Sequence, residues 1–263
     1  MLVDNKFIYL SLPRCASTSF HYSCIINNIG VKTNNGEWEV SNEHIDFNSI
    51  EKEDLMNHIF HGHETISDLQ SKFGIDVPVI AVNRERHERF YSLYKHVLFD
   101  LQRMGFERIY DVFSKMTLDE LFFFTKDDII NKKKRWDVIC DFLIDSKIID
   151  ERIDISVTSK FNKSDEEFFK SNTNGYAVNV IDILLTPISF WTNHNPNIIW
   201  FEFNKLNELD RWVSDKLGKP FKLHSVNSSK HMECNLTLDD NFVAKYNSIY
   251  DYYDLHKTTK TLI

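Results

Sequence analysis

Phe7-Ile8-Tyr9-Leu10-Ser11-Leu12-Pro13-Arg14-Cys15-Ala16-Ser17-Thr18-Ser19-Phe20 passes from an apolar run, through a proline turn, into a hydroxyl-rich start of a helix. Phe7 to Leu12 reads as a short buried strand, Pro13 to Ala16 as a turn, and Ser17 to Asn28 as a helix closed by Gly30. The order strand, loop, helix then recurs. Val77 to Val82 is apolar and β-branched, and from Arg84 onward Phe90, Leu93, Tyr94, Val97, Leu98 and Leu101 fall on one helical face. Asn197 to Phe203 gives a third strand, followed by a helix over Leu206 to Leu217 that Gly218 and Pro220 stop. Between the first two units, His58 to His61 reads as a short strand. Glu64 to Phe73 has helical spacing at Ile66, Leu69 and Phe73, with Gly74 as its stop. Strands alternating with helices predict an α/β fold with a central, mainly parallel sheet flanked by helices.

The chain has 263 residues, 42% of them hydrophobic and 27% charged, enough for one large core. With no internal repeat and no Pro/Gly/Ser linker, a single domain over 1–263 is expected, its middle (about 105–196) largely helical. The clearest helical pieces there are Leu118 to Phe124, Trp136 to Leu143 and Val178 to Leu185. A net charge of -8 argues against a nucleic-acid partner or an anionic membrane. The N-terminal apolar run is too short for a signal peptide, and no stretch approaches a membrane span, so a cytoplasmic location is expected. Cys15, Cys24, Cys140 and Cys234 make no C-x-x-C pair. The seven glycines make no G-x-G and no G-x-S-x-G, so the Rossmann, kinase and α/β-hydrolase signatures are missing.

In an open parallel sheet, ligands bind beyond the carboxyl ends of the strands, where a loop and a helix N-terminus face an anion. Arg14 to Ser19 stands in that position, offering one guanidinium and three hydroxyls; the plainer reading is that Ser17 N-caps the helix. At the second junction, Asn83 to Ser92, Arg84 and Ser92 are suited to a second anion. Glu85 and Glu88, interspersed with Arg84, Arg86 and Arg89, support instead a solvated, salt-bridged first turn. Phe60-His61-Gly62-His63-Glu64 offers a general base in His61 or His63, a zinc set with His58, or structural histidines on a turn. Spacing leaves these three open.

Taken in order, these segments resemble the sulfotransferase superfamily, and most of all its hexuronic acid 2-O-sulfotransferase branch. Leu12 to Phe20 is similar to the 5′-phosphosulfate loop, and Phe60 to His63 to a Y-H-G-H segment. Val79 to Tyr94 is similar to the 3′-phosphate motif, Ile199 to Leu206 to a late strand with an acidic residue, and Val226 to Lys230 to a C-terminal loop that closes over the donor. The similarity covers about the first hundred residues and a C-terminal patch. It implies a P-loop-like three-layer fold, 3′-phosphoadenosine 5′-phosphosulfate as sulfuryl donor, and transfer without a metal.

By the same resemblance, Arg14, Cys15, Ala16, Ser17, Thr18 and Ser19 hold the 5′-phosphosulfate, and Arg84 and Ser92 the 3′-phosphate, with Ser229 and Lys230 as additions. His63, or else His61, takes the proton of the acceptor hydroxyl, and Arg14 stabilises charge on the bridging oxygen. Two departures stand out. Arg14 replaces the usual lysine of that branch, which keeps the charge but rules out proton donation. Glu85-Arg86 replaces Asp-Pro. Glu64 is a rival base, because other branches use glutamate.

The expected acceptor is a hydroxyl on a carbohydrate, with tyrosine, a lipid or a small metabolite as alternatives. Lys132-Lys133-Lys134-Arg135 is either an acceptor patch or a solvated face. The competing functions are a P-loop-like nucleotide kinase or phosphotransferase, which would need a Walker lysine and a magnesium carboxylate, and a non-catalytic nucleotide-binding module.

Overall fold

Strand formation begins with a hairpin. Leu2–Val3 (β1) and Phe7–Leu10 (β2) pair antiparallel, with Leu2 opposite Ile8 and Val3 opposite Phe7. Asp4 and Asn5 join them with φ of 49° and 53°, and Lys6 N–H donates to Val3 C=O at 2.8 Å. Two successive residues at positive φ make the tight turn whose twist suits a hairpin, and Asp and Asn tolerate that region better than other side chains.

The computed structural model describes residues 1–33, 36–38, 64–74, 76–103, 188–193 and 195–226, with short pieces at 110–111, 114–115, 141, 144–145, 239–241, 243–244 and 247. The chain divides into two compact units. One comprises Met1–Glu85 with Ile188–Ser228, the other Arg86–Pro187 with Ser229–Ile263.

The first unit is built on a six-stranded mixed sheet. Val31–Lys32 (β3), Glu37–Trp38 (β4), Val79–Asn83 (β5) and Ile198–Glu202 (β6) complete it in the order β4-β3-β1-β2-β5-β6. β2, β5 and β6 run parallel, with Tyr9 opposite Ile80 and Ala81 opposite Trp200. β1, β3 and β4 pair antiparallel, so the sheet is mixed rather than mainly parallel. All four residues of β2 are buried, as a strand covered on both faces requires.

On the Phe7/Tyr9 face of β2 the core is aromatic. Ser17–Ile26 (α1) brings Phe20, which stacks on Tyr9 at 3.9 Å between ring centroids. After Ile66–Phe73 (α2), Arg86–Arg103 (α3) and Ile188–Thr192 (α4), the helix Leu206–Leu217 (α5) brings Trp212, which meets Phe7 edge-on at 5.1 Å. Leu209, Val213 and Leu217, one turn apart, form the buried stripe of α5. Gly218, left-handed at φ 71°, ends that helix and gives its N–H to Ser214 C=O. Burying a Phe or Leu side chain stabilises the fold by about 1.5–3 kcal/mol, so this cluster anchors the unit.

In the second unit, α3 buries Phe90, Leu93, Tyr94, Val97 and Leu98, the face its spacing predicts. Arg89 is buried as well, at 1% exposure, which the solvated reading of this helix start does not accommodate. The strand expected at His58 to His61 and the helices expected at Leu118 to Phe124 and Val178 to Leu185 lie outside the described residues. So does Trp136 to Leu143, except for Asp141, which is helical. Among the described residues, no helix is long and apolar enough to cross a membrane.

Candidate functional site

Parallel pairing fixes where the site is. Because β2, β5 and β6 point the same way, Leu10, Asn83 and Glu202 end at one edge of the sheet, and the segments that follow them share that edge. The Arg14 to Ser19 loop follows β2, Arg84 follows β5, and Phe203 follows β6, all within the first unit.

The loop after β2 is shaped by its backbone. Arg14 and Ala16 sit at φ 60° and 64°, the left-handed region in which a side chain costs about 1–2 kcal/mol. Cys15, between them, is fixed from three sides. Its thiol is fully buried, its N–H donates to Leu12 C=O at 3.2 Å, and its C=O accepts the Tyr9 hydroxyl at 2.9 Å. The thiol and the N–H of Cys15 are thus both turned to the protein. Burial pushes the Tyr9 phenol well above its ordinary value, which keeps it a donor. Burial also pushes the Cys24 thiol far up.

The three hydroxyls of the loop have different partners. Ser17 Oγ donates to Leu12 C=O at 2.6 Å. It does not cap the helix: the N-cap is Ala16, with no side-chain cap bond. Ser19, only 8% exposed, is bonded twice to Val226, accepting from its N–H at 3.1 Å and donating to its C=O at 3.2 Å. One turn on, Ser23 Oγ accepts from His224 N–H at 2.7 Å and donates to Ser19 C=O at 2.7 Å. These serines bind the Phe221 to Val226 segment to α1, a role sequence reading missed. The Thr18 hydroxyl, on a half-buried residue, makes no hydrogen bond to another described residue. The first i→i−4 bond entering α1 runs from Phe20 N–H to Ala16 C=O, so the N–H groups of Ser17, Thr18 and Ser19 precede the helical ladder.

Arg84 joins the two anion motifs. Its Nη1 donates to the carbonyl of Arg14 at 3.4 Å, and its guanidinium lies over the Phe203 ring at 4.5 Å from the centroid. Both Arg14 and Arg84 are half-buried. Beside them, Asn83 Nδ2 donates to both carboxylate oxygens of Glu202, at 3.2 and 3.4 Å, across the β5–β6 pair. The edge thus brings together the Arg84 guanidinium, the loop that carries Arg14, the Thr18 hydroxyl and helix-start N–H groups, a set suited to a phosphate or sulfate ester.

Ser92 lies inside α3, in the second unit, and is buried at 6% exposure. Glu64 is buried too; its charge acts on the Met1 amine, which burial lowers to about 6 and Glu64 raises. His61, His63, Ser229 and Lys230 lie outside the described residues, as does His58. Among the described residues, no group of three or more His, Cys, Asp and Glu side chains is arranged to hold a metal ion.

The contact of Phe203 with Arg84 and the bonds of Ser19 and Ser23 to the Phe221 to Val226 segment are what sequence reading did not find. Phe203 carries no local signal, because its partner is 119 positions earlier in the chain (203 − 84). The chain matches no family model, no curated protein and no solved structure.

Proposed function

We propose that the protein is a sulfotransferase with a P-loop-like three-layer fold, moving a sulfuryl group from 3′-phosphoadenosine 5′-phosphosulfate to an acceptor hydroxyl, with a carbohydrate as the favoured acceptor. The observation that carries this reading is the meeting of Arg84 with the Arg14 loop at the carboxyl edge of the parallel strands. A donor with anionic esters on both the 3′ and the 5′ oxygens of its ribose needs two separate anion sites on one edge. The two guanidinium groups supply them.

In this reading Arg14, Thr18 and the leading N–H groups of α1 hold the 5′-phosphosulfate. Arg84 holds the 3′-phosphate. His63, or His61, accepts the proton of the acceptor hydroxyl as its oxygen bonds to sulfur. The bond from sulfur to the bridging oxygen breaks, and its electron pair leaves on the 5′-phosphate. Arg14 stabilises that charge as a permanent cation. Ser19, committed to Val226, supports the loop instead of touching the donor.

Calorimetric titration with 3′-phosphoadenosine 5′-phosphate beside AMP tests the donor site. Binding of the bisphosphate at least about tenfold tighter than AMP is expected from one charge-assisted contact. Equal binding of the two nucleotides would overturn the reading, and magnesium-dependent ATP turnover would put a kinase in its place.

A further inference from the structure

We infer that Phe203 is a positioning residue that holds the Arg84 guanidinium in its anion-binding orientation, an inference that rests on the sulfotransferase reading for the identity of the anion. Three observations carry it. The ring sits on the first residue after β6, in the short 3₁₀ turn Phe203–Lys205, so its backbone is fixed by the parallel pairing of β5 with β6. It is half-buried and packs against the hydrophobic core, which holds the ring in place. Its face lies 4.5 Å from the Arg84 guanidinium carbon, within the range of a cation–π contact.

Arg84 is therefore held between two groups of different chemistry. The Arg14 carbonyl takes one N–H at the edge of the guanidinium plane, and the Phe203 ring meets one face of it. An arginine that swings freely loses rotamer freedom when it captures an anion. One already held by a ring and a carbonyl loses less. The geometry also separates the two contacts chemically: the carbonyl depends on the loop after β2, whereas the ring depends on the junction after β6. Affinity for the 3′-phosphate is then sensitive to a residue that touches no part of the donor.

The test uses the full chain with Phe203→Leu, which keeps an apolar side chain but removes the π-face, and Phe203→Tyr, which restores it. Each is titrated calorimetrically with 3′-phosphoadenosine 5′-phosphate and with AMP. Phe203→Leu is expected to weaken the bisphosphate about fivefold and leave AMP unchanged, with Phe203→Tyr within about twofold of wild type. In the nucleotide-free wild type, the Arg84 Nε–H resonance, identified by its disappearance in Arg84→Lys, should be shifted upfield by the ring and lose that shift in Phe203→Leu.

A wild-type-like bisphosphate-to-AMP ratio in Phe203→Leu would overturn the inference, as would an Arg84 resonance without a ring shift in the wild type. The second measurement needs no nucleotide and no folded Leu variant. If wild type fails to distinguish the two nucleotides, the donor reading falls. The ring shift then still decides whether Phe203 holds Arg84.

Discussion

Two helices in the first unit start in opposite ways. α2 opens on a capping box. Thr65 Oγ1 accepts from Asp68 N–H at 3.2 Å, and Thr65 N–H donates to the Asp68 carboxylate at 3.0 Å. Two of the N–H groups at that helix start, those of Thr65 and Asp68, are satisfied by its own sequence. α1 opens on Ala16, left-handed and without a side-chain cap, and two of its three nearby hydroxyls turn to other partners, Ser17 to Leu12 and Ser19 to Val226. The same polypeptide physics that closes α2 would have closed α1 had a serine or threonine occupied position 16 in an extended conformation. On the proposed reading, the start of α1 is left open to a ligand because its hydroxyls are placed elsewhere, at a cost in local stability.

The strongest way to break this contrast is to remove the charge at the receptive end. On the proposed sulfotransferase reading, Arg14→Ala is expected to lower the rate of sulfuryl transfer about 100-fold or more, measured with labelled donor, because it deletes the cation that this reading assigns to the developing charge. The same change should leave the thermal midpoint almost unmoved, since Arg14 is half-buried and relieved of its left-handed side chain only in part.

A second comparison separates neighbours within the loop. Ser19→Ala removes the partner of the Val226 N–H and C=O and should cost about 2 kcal/mol of stability by urea unfolding. Thr18→Ala removes no hydrogen bond to a described residue; it should leave stability within about 0.5 kcal/mol and weaken the bisphosphate severalfold. If the two variants exchange these effects, the division of labour drawn above is reversed.

At the closed end the expected effect is smallest. Thr65→Ala should lower stability by about 1 kcal/mol through loss of the cap, with nucleotide affinity unchanged. Any loss of nucleotide binding in that variant would mean that α2 is part of the donor site.

Where local pattern carried the information, sequence and structure agree closely. Leu206 to Leu217 is a helix over those residues because its apolar stripe, Gly218 and Pro220 are all local signals. α2 begins two residues after the expected Glu64, at Ile66, because Thr65 is its cap. β5 is displaced toward Asn83 because its register is set by β2 and β6, not by its own composition. β1, β3 and β4 were missed because strands of two residues have no period to detect. In the candidate site, the junctions holding Arg14 and Arg84 were legible, whereas what their neighbours do was not. The bonds from Ser19 to Val226 and the stacking of Arg84 on Phe203 join residues far apart in the chain, and the left-handed Arg14 and Ala16 lack the glycines that would have announced them.

The hydrogen bond from Tyr9 to Cys15 has a consequence for how the loop moves. Tyr9 belongs to β2, is stacked on Phe20 and has no exposed surface, yet its hydroxyl holds the carbonyl between two left-handed residues. Peeling the loop away would strand a buried phenol inside the core. Loops at binding sites usually belong to the least protected, most easily opened part of a protein. This one shares its opening transition with the most protected part, so solvent exchange at the Cys15 amide reports on unfolding of the sheet rather than on breathing of the site.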